Sequence, residues 1–415
     1  MPPKAQITRL AAGKLPGSLA DWRKRVPRTY SRLNIGDTQL ATALASELSK
    51  QYSYSNDLTI IDGYPGVGLW SRTLNQALQP KKHVCLEVFR SYYQWLETYN
   101  SDLIANGQMS LVPHDPFKWT SYLDIVKEGL VSPPTVPLNR VHDSLLFTMN
   151  LTSVQGDQLL GQFLGCIGNR NWIQKYGRVR MLLWVRPTLA QKVLAQVGDV
   201  SRNKTSVLAS AYADVRPLFA MEEYGTLPVV KAKQYDSEGN EIVVPKKRGR
   251  RTKAEAEALR KAEEENKAPK KGYMLIPPGK LMNDNVLVRG RAKNATYPQE
   301  KPLVLLEITP KENLCGSLGP DAVDPFTFEY VIKQLFVSRK TPVGKGSSVL
   351  GPGAASYLAT KLSDRLLAKA VTDLDTNELL ELTQQFQNWP FKPDHLFDSL
   401  EDEGENDASQ ANNFF

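Results

Sequence analysis

Between Leu58 and Val185 the chain alternates short, mainly apolar runs with longer stretches whose apolar positions recur every three or four residues. The runs 58–62 (LTIID), 83–87 (HVCLE), 109–113 (MSLVP), 144–150 (SLLFTMN) and 179–185 (VRMLLWV) have the length of buried strands. Between them, Tyr92, Trp95, Leu96 and Tyr99 mark one helical face, and Leu159, Leu160, Phe163, Leu164 and Ile167 mark another. The aromatics on these faces are read as core. Strand and helix in alternation predict an α/β fold, a mainly parallel sheet covered by helices, with ligands beyond the carboxyl ends of the strands. A late run, 302–308 (PLVLLEI), predicts a strand that rejoins this sheet.

After Pro320 the period turns helical. Phe326, Tyr330, Ile332 and Phe336 recur at roughly helical spacing. Asp375 and Glu378 then cap a helix through Leu379, Leu380, Leu382 and Phe386, which stops at Trp389-Pro390. The chain therefore divides into a main α/β domain at 29–318, a C-terminal all-helical domain at 319–400 and an acidic tail at 401–415. Residues 228–298 interrupt the apolar rhythm with Pro, Gly and charge and read as an insertion. Within it, Thr252 and Glu255 form a capping box before a helix with almost no apolar face, which belongs in solvent or on a charged partner.

Charge sharpens this division. The 415 residues carry a net charge of +8, from 52 Lys and Arg against 44 Asp and Glu. The positive excess sits in the first thirty residues and in 231–271, and the last fifteen residues hold acids and no base, so the body is near neutral. The acid-poor, basic segment 1–28 reads as a mitochondrial leader. In the insertion, Arg248-Gly249-Arg250 suits an extended path along a DNA minor groove, which makes Arg248 and Arg250 candidate nucleic-acid contacts. No apolar run approaches the roughly 18 residues of a membrane-spanning helix. Cys85, Cys166 and Cys315 form no CxxC pair, which excludes a disulfide framework and a Cys-rich zinc site. His83, His114, His142 and His395 are dispersed and read as surface or capping residues, so no metal site is expected.

The strongest local signal is Asp62-Gly63-Tyr64-Pro65-Gly66-Val67-Gly68 at the end of the first strand. Glu87 follows at the end of the second and Asp115 after the third. Glycines let backbone approach a ligand, and an acid about 20 residues on binds ribose hydroxyls. With Asp115 placed to accept from an adenine amino group, the layout is that of an S-adenosylmethionine pocket. Nicotinamide fits less well, because Tyr64 breaks the glycine spacing.

Four further segments, YPGVG (64–68), CIGNRNWIQKYGRVRMLLW (166–184), SRNKTSVL (201–208) and NWPFKP (388–393), are long and specific. Through them the chain from about Arg25 to Trp389 resembles the ribosomal RNA adenine dimethyltransferase family, within it the divergent fungal branch of mitochondrial transcription factor B. The resemblance implies a Rossmann-like, S-adenosylmethionine-dependent methyltransferase fold with a helical C-terminal domain. For this branch it implies a mitochondrial protein that gives a single-subunit RNA polymerase promoter-specific initiation, helping to melt the DNA and hold the open strands. It places Asp62, Gly66 and Gly68 in the cofactor motif, Glu87 at the ribose and Asp115 at the adenine.

Two departures argue against catalysis. Tyr64 stands where the enzymes keep a glycine, and the catalytic Asn-Leu-Pro-Tyr motif appears as Asn150-Leu151-Thr152-Ser153. The missing aromatic ring would stack the flipped adenine, a contact of about 1–3 kcal/mol per base. The Gln-Asn-Phe segment of the enzymes has no counterpart in Thr29–Asn34. The site is thus expected to be vestigial, with no required cofactor. The alternatives are a working rRNA adenine dimethyltransferase of the mitochondrial small subunit, using S-adenosylmethionine, and an rRNA-binding assembly factor that does not methylate. Arg170, Lys175, Arg178, Arg180, Arg202 and Lys204, which lie in the family-specific segments, are expected to contact promoter DNA, with rRNA as the alternative nucleic acid.

Overall fold

The computed structural model describes residues 8–9, 32–199, 201–221, 288–290, 296–297, 301–314 and 322–393. Most of the leader and insertion, with Thr252, Glu255, Arg248 and Arg250, lies outside the described residues, as does the acidic tail. So do Cys315 and His395.

In chain order the strands are β1 (Thr8–Arg9), β2 (Asn34–Ile35), β3 (Thr59–Gly63), β4 (Lys82–Leu86), β5 (Ser110–Val112), β6 (Val141–Asn150), β7 (Arg178–Val185), β8 (Ala213–Met221), β9 (Val288–Gly290), β10 (Thr296–Tyr297) and β11 (Val304–Pro310). Nine of them form one sheet in the order β1-β9-β8-β11-β7-β6-β3-β4-β5. The five strands expected from 58 to 185 are β3, β4, β5, β6 and β7, and all run parallel. The late run becomes β11, which enters antiparallel between β7 and β8.

Strand β8 has no counterpart in the apolar pattern, because Arg216 and Pro217 interrupt it. Its pairing with β11 shifts register between Leu305 and Leu306, where Leu306 meets Pro217 and Leu305 meets Phe219. A bulge is where an interior strand tolerates a proline that cannot donate to the ladder.

The helices are α1 (Thr38–Gln51), α2 (Leu69–Leu78), α3 (Arg90–Tyr99), α4 (Ser101–Ala105), α5 (Trp119–Lys127), α6 (Gly156–Gly168), α7 (Pro187–Leu194) and α8 (Lys204–Tyr212), then α9 (Pro325–Leu335), α10 (Val343–Gly346), α11 (Ala354–Ala359), α12 (Asp364–Ala368) and α13 (Thr376–Gln387). Asp37 caps α1 by accepting from Leu40 N at 3.1 Å, and the helix buries Leu40, Ala41, Leu44, Ala45 and Leu48. This stripe packs with Ile60, Leu146, Leu182 and Trp184 on one face of the sheet. On the other face, Phe147 and Met181 meet Phe163, Leu164, Leu208 and Tyr212, and the same apolar cluster continues into Phe328, Val331, Leu379 and Phe386. The C-terminal helices therefore share a core with the sheet. Close approach of α6 and α8 requires Gly168, whose added Cβ would lie 2.7 Å from the Tyr212 ring.

The helical stripes need some adjustment. In α3 only Tyr92 and Leu96 are buried, while Trp95 and Tyr99 are half-buried and stack on each other at 5.6 Å. In α9 Phe326 is exposed and Phe328 is buried. The capping box Asp375/Glu378 opens α13 as expected. Among the described residues no helix is long and apolar enough to cross a membrane.

Candidate functional site

The signal loop leaves β3 through a series of left-handed turns: φ is +54° at Tyr64, +60° at Gly66 and +77° at Gly68, where α2 begins. For a bulky residue such as Tyr64 this conformation is strained and persists only when the surroundings fix it. They do so here. The Tyr64 hydroxyl donates to Asp115 Oδ1, and the Arg32 guanidinium lies 4.3 Å from the ring centroid. Burial and the neighbouring Asp115 carboxylate push the Tyr64 phenol well above its ordinary value.

Arg32 is the centre of the arrangement. Its Nη1 donates to Glu87 Oε2 at 2.6 Å, and the two residues are 2% and 0% exposed. The guanidinium also lies 5.1 Å from the Phe89 ring and 4.9 Å from the Tyr92 ring, within cation–π range. Glu87 accepts a further bond from the Phe89 backbone N–H at 3.1 Å. Burial raises the proton affinity of Glu87, and Arg32 opposes that shift.

The two residues after Arg32 cover the rest of the site. The Leu33 N–H donates to Thr152 Oγ1 at 2.8 Å, and Asn150 Nδ2 donates to the Leu33 carbonyl at 2.8 Å. The Thr152 hydroxyl in turn donates to Asn150 Oδ1 at 2.6 Å. Asn34 lies against Gly66 so closely that an added Cβ there would be 1.9 Å from its Oδ1. Asn34–Ile35 is also β2, whose antiparallel partner β10 closes the insertion.

At the base of the loop, Ser71 Oγ donates to Asp62 Oδ2 at 2.5 Å, and His83 Nε2 stands 3.4 Å from the same oxygen. Asp62, His83 and Cys85 bring possible metal-ligand atoms within 4.8 Å of one another. The other ring nitrogen, His83 Nδ1, lies 3.3 Å from the Asn75 amide nitrogen, so both sides of the ring are engaged within the protein. This buried network corrects the surface reading of His83. His142 is buried too, its Nδ1 accepting from Ser144 N and its Nε2 facing the Pro134 carbonyl.

The space left between Asn34, Asp62, Tyr64, Trp70, Asn150 and Trp184 is a cavity of about 20 Å³. That is room for about one water. Around it, Glu87, Asp115 and Asn150 are already engaged by Arg32, Tyr64 and Leu33 of the same chain. Of the expected site residues, Asp62 and Asn150 line this cavity, Gly66 abuts Asn34 at its edge, Glu87, Asp115 and Thr152 are tied to its lining through Arg32, Tyr64 and Leu33, and Gly68 faces Leu96 and Asn100 instead; Leu151 is buried and Ser153 half-buried. Sequence reasoning missed the occupant, Arg32–Asn34. The available signal was a buried acid at a strand end, which demands a cation.

The basic candidates do not form a single exposed face. Arg170 Nη2 donates to the Lys311 and Glu312 carbonyls at 2.8 and 2.9 Å, and Arg178 Nε donates to the Pro310 carbonyl at 2.7 Å. Arg180 pairs with Glu307 at 2.8 Å and lies 3.8 Å from the Tyr52 ring. Arg202 is 3% exposed and donates to the Leu374 carbonyl at 2.8 Å. For Arg180 and Arg202 the expectation of phosphate contact is corrected, since both are enclosed by protein groups. Lys175 is exposed, and Lys204 is half-buried at 3.9 Å from Glu329.

Residues 37–385 match the ribosomal RNA adenine dimethylase family. The chain is 29% identical over 380 residues to mitochondrial transcription factor 1 of Lachancea kluyveri, covering 91% of this chain and 95% of that one. It is 29% identical over 357 residues to the protein of the same name from Saccharomyces cerevisiae, covering 86% and 87%. Among solved structures it is similar to a dimethyladenosine transferase from Plasmodium falciparum, with 12% identity and a TM-score of 0.45 over 84% of this chain and 94% of that one.

Proposed function

Because the chain belongs to the ribosomal RNA adenine dimethylase family while its own residues fill the cleft, we propose that it acts as a mitochondrial transcription initiation factor and not as a methyltransferase. In this reading it binds a single-subunit mitochondrial RNA polymerase and promoter DNA in the matrix, confers promoter-specific initiation and helps to hold the melted strands. The observation that carries the reading is the engagement of Glu87 by Arg32, of Asp115 by Tyr64 and of Asn150 and Thr152 by Leu33. Ser153 adds no ring on which a flipped adenine would stack. Relatives matching about nine-tenths of the chain are named mitochondrial transcription factor 1, which supports the compartment and the partners.

The cations assigned to DNA are those nearest solvent, Lys175 and Lys204, together with Arg248 and Arg250 of the insertion. Their contribution falls steeply with salt.

The test is promoter-dependent run-off transcription with the mitochondrial polymerase, with and without the purified protein. Specific transcript is expected only when the protein is present. In parallel, labelled S-adenosylmethionine and a small-subunit rRNA hairpin should yield no dimethyladenosine above background. Methylation at the rate of an intact family enzyme overturns the proposal, and failure of both assays favours the assembly-factor reading.

A further inference from the structure

The filled cleft has a chemistry of its own. Three rings, Tyr64, Phe89 and Tyr92, surround one guanidinium at 4.3–5.1 Å, and a fully buried carboxylate receives one of its N–H groups at 2.6 Å. The rings supply an electron-rich enclosure for a cation, and Glu87 supplies a directional acceptor. The Phe89 backbone N–H also bonds Glu87, which helps to hold the carboxylate in place. A planar, weakly hydrated guanidinium satisfies rings and acceptor together, whereas an ammonium is a strongly hydrated point charge that stacks poorly.

We propose that the former cofactor cleft is a guanidinium-binding site whose resident ligand is Arg32 of the same chain. The site has a structural output. Arg32 leads directly into Leu33, which bonds Asn150 and Thr152, and into Asn34–Ile35, which pair with Thr296–Tyr297. Occupancy of the cage therefore anchors the N-terminal strap and, through it, the end of the insertion. The proposal rests on the closed cleft described above and not on the transcriptional role, so either can fail while the other stands.

The experiment uses the full chain carrying Arg32→Ala, with methylguanidinium chloride as the probe and tetramethylammonium chloride at equal ionic strength as the control. The variant should melt below the wild type. Millimolar methylguanidinium should raise its melting temperature saturably, by about two degrees or more at saturation, without stabilising the wild type. Tetramethylammonium should not reproduce the rise. A second variant, Arg32→Lys, keeps the charge and should still melt below the wild type. Absence of rescue in a folded Arg32→Ala overturns the proposal. If that variant does not fold, equal stability of Arg32→Lys and wild type overturns it. Stabilisation of Arg32→Ala by S-adenosylmethionine as strong as that by methylguanidinium also overturns it and reopens the cofactor reading, which the run-off and methylation assays test separately.

Discussion

Replacing Arg202 by Met should weaken the fold and leave DNA affinity almost unchanged, although the residue lies in a basic, family-specific segment. Arg202 connects the sheet to the helical domain: its Nη2 donates to the Leu374 carbonyl at 2.8 Å, and its own carbonyl accepts from Arg339 Nη1 at 2.9 Å. Burial lowers its proton affinity, and the nearby Asp375, Asp199 and Asp373 oppose that shift. Methionine keeps the apolar stem but removes the charged donor and leaves the Leu374 carbonyl unpaired. A hydrogen bond to a charged group is worth about 1.5–3 kcal/mol. About 280 described residues, at roughly 2.1 cal/mol/K each, give an unfolding entropy near 0.6 kcal/mol/K, so Tm should fall by about 2.5–5 °C. Calorimetry reads that fall. Binding to a promoter duplex across a salt series reads the contact, because loss of one phosphate neutralisation reduces the log–log slope by about 0.9. An unchanged Tm with a reduced slope would refute the reasoning and return Arg202 to the DNA surface.

Other consequences follow from the same contacts. Glu329, on α9 beside Gly165, is 16% exposed, and burial raises its proton affinity above the ordinary value of 4.5, with Lys204 and Lys333 opposing. Its folded state holds the proton more tightly than its unfolded state, so the contribution of this one group to stability is fully present below pH 4.5 and is lost as pH rises through the folded pKa; Glu329→Gln should melt higher than wild type at pH 7 and converge with it at pH 4, by calorimetry. Arg32→Met should cost about 3–5 kcal/mol in urea unfolding, whereas Arg32→Met with Glu87→Met should recover most of that, because a buried ion pair is costly to halve and cheap to replace whole. Lys175→Glu with Lys204→Glu should lower promoter-DNA affinity at low salt, with the difference shrinking at high salt in fluorescence anisotropy. Replacing 231–271 by a short Gly/Ser linker should leave Tm nearly unchanged and weaken low-salt DNA binding; a large fall in Tm would contradict it.

The parallel strands were legible because β3, β4, β6 and β7 are covered on both faces, so apolar residues dominate each run without a strict alternation. Strand β8 was not, because its polar residues answer partners remote in sequence: Arg216 pairs with Glu307, and Pro217 sits at a bulge opposite Leu306. Asn34–Ile35 is too short to carry a period, and nothing local marks Arg32 as the partner of a carboxylate 55 positions away. The loop and its three acids were visible as a constellation. What fills it was not, because composition counts cations without stating which of them the fold encloses. Arg180 and Arg202 were misread for the same reason.

Acids such as Asp62, Glu87 and Asp115 at strand ends have two explanations, a bound ligand or local hydrogen bonding, and the second is visible in the structure. A buried carboxylate without donors is costly whatever its history. Each such acid must therefore find its donors in the chain or in a ligand. Here each acid has such a donor: Ser71 on Asp62, Arg32 on Glu87, and Tyr64 with the Phe117 N–H on Asp115. Two of these donors belong to residues that depart from the family pattern, Tyr64 in place of glycine and Arg32 in the stretch with no Gln-Asn-Phe counterpart. Departure and retention are thus one adjustment. Acids with in-chain donors have a structural explanation, whereas the same acids without donors would call for a ligand.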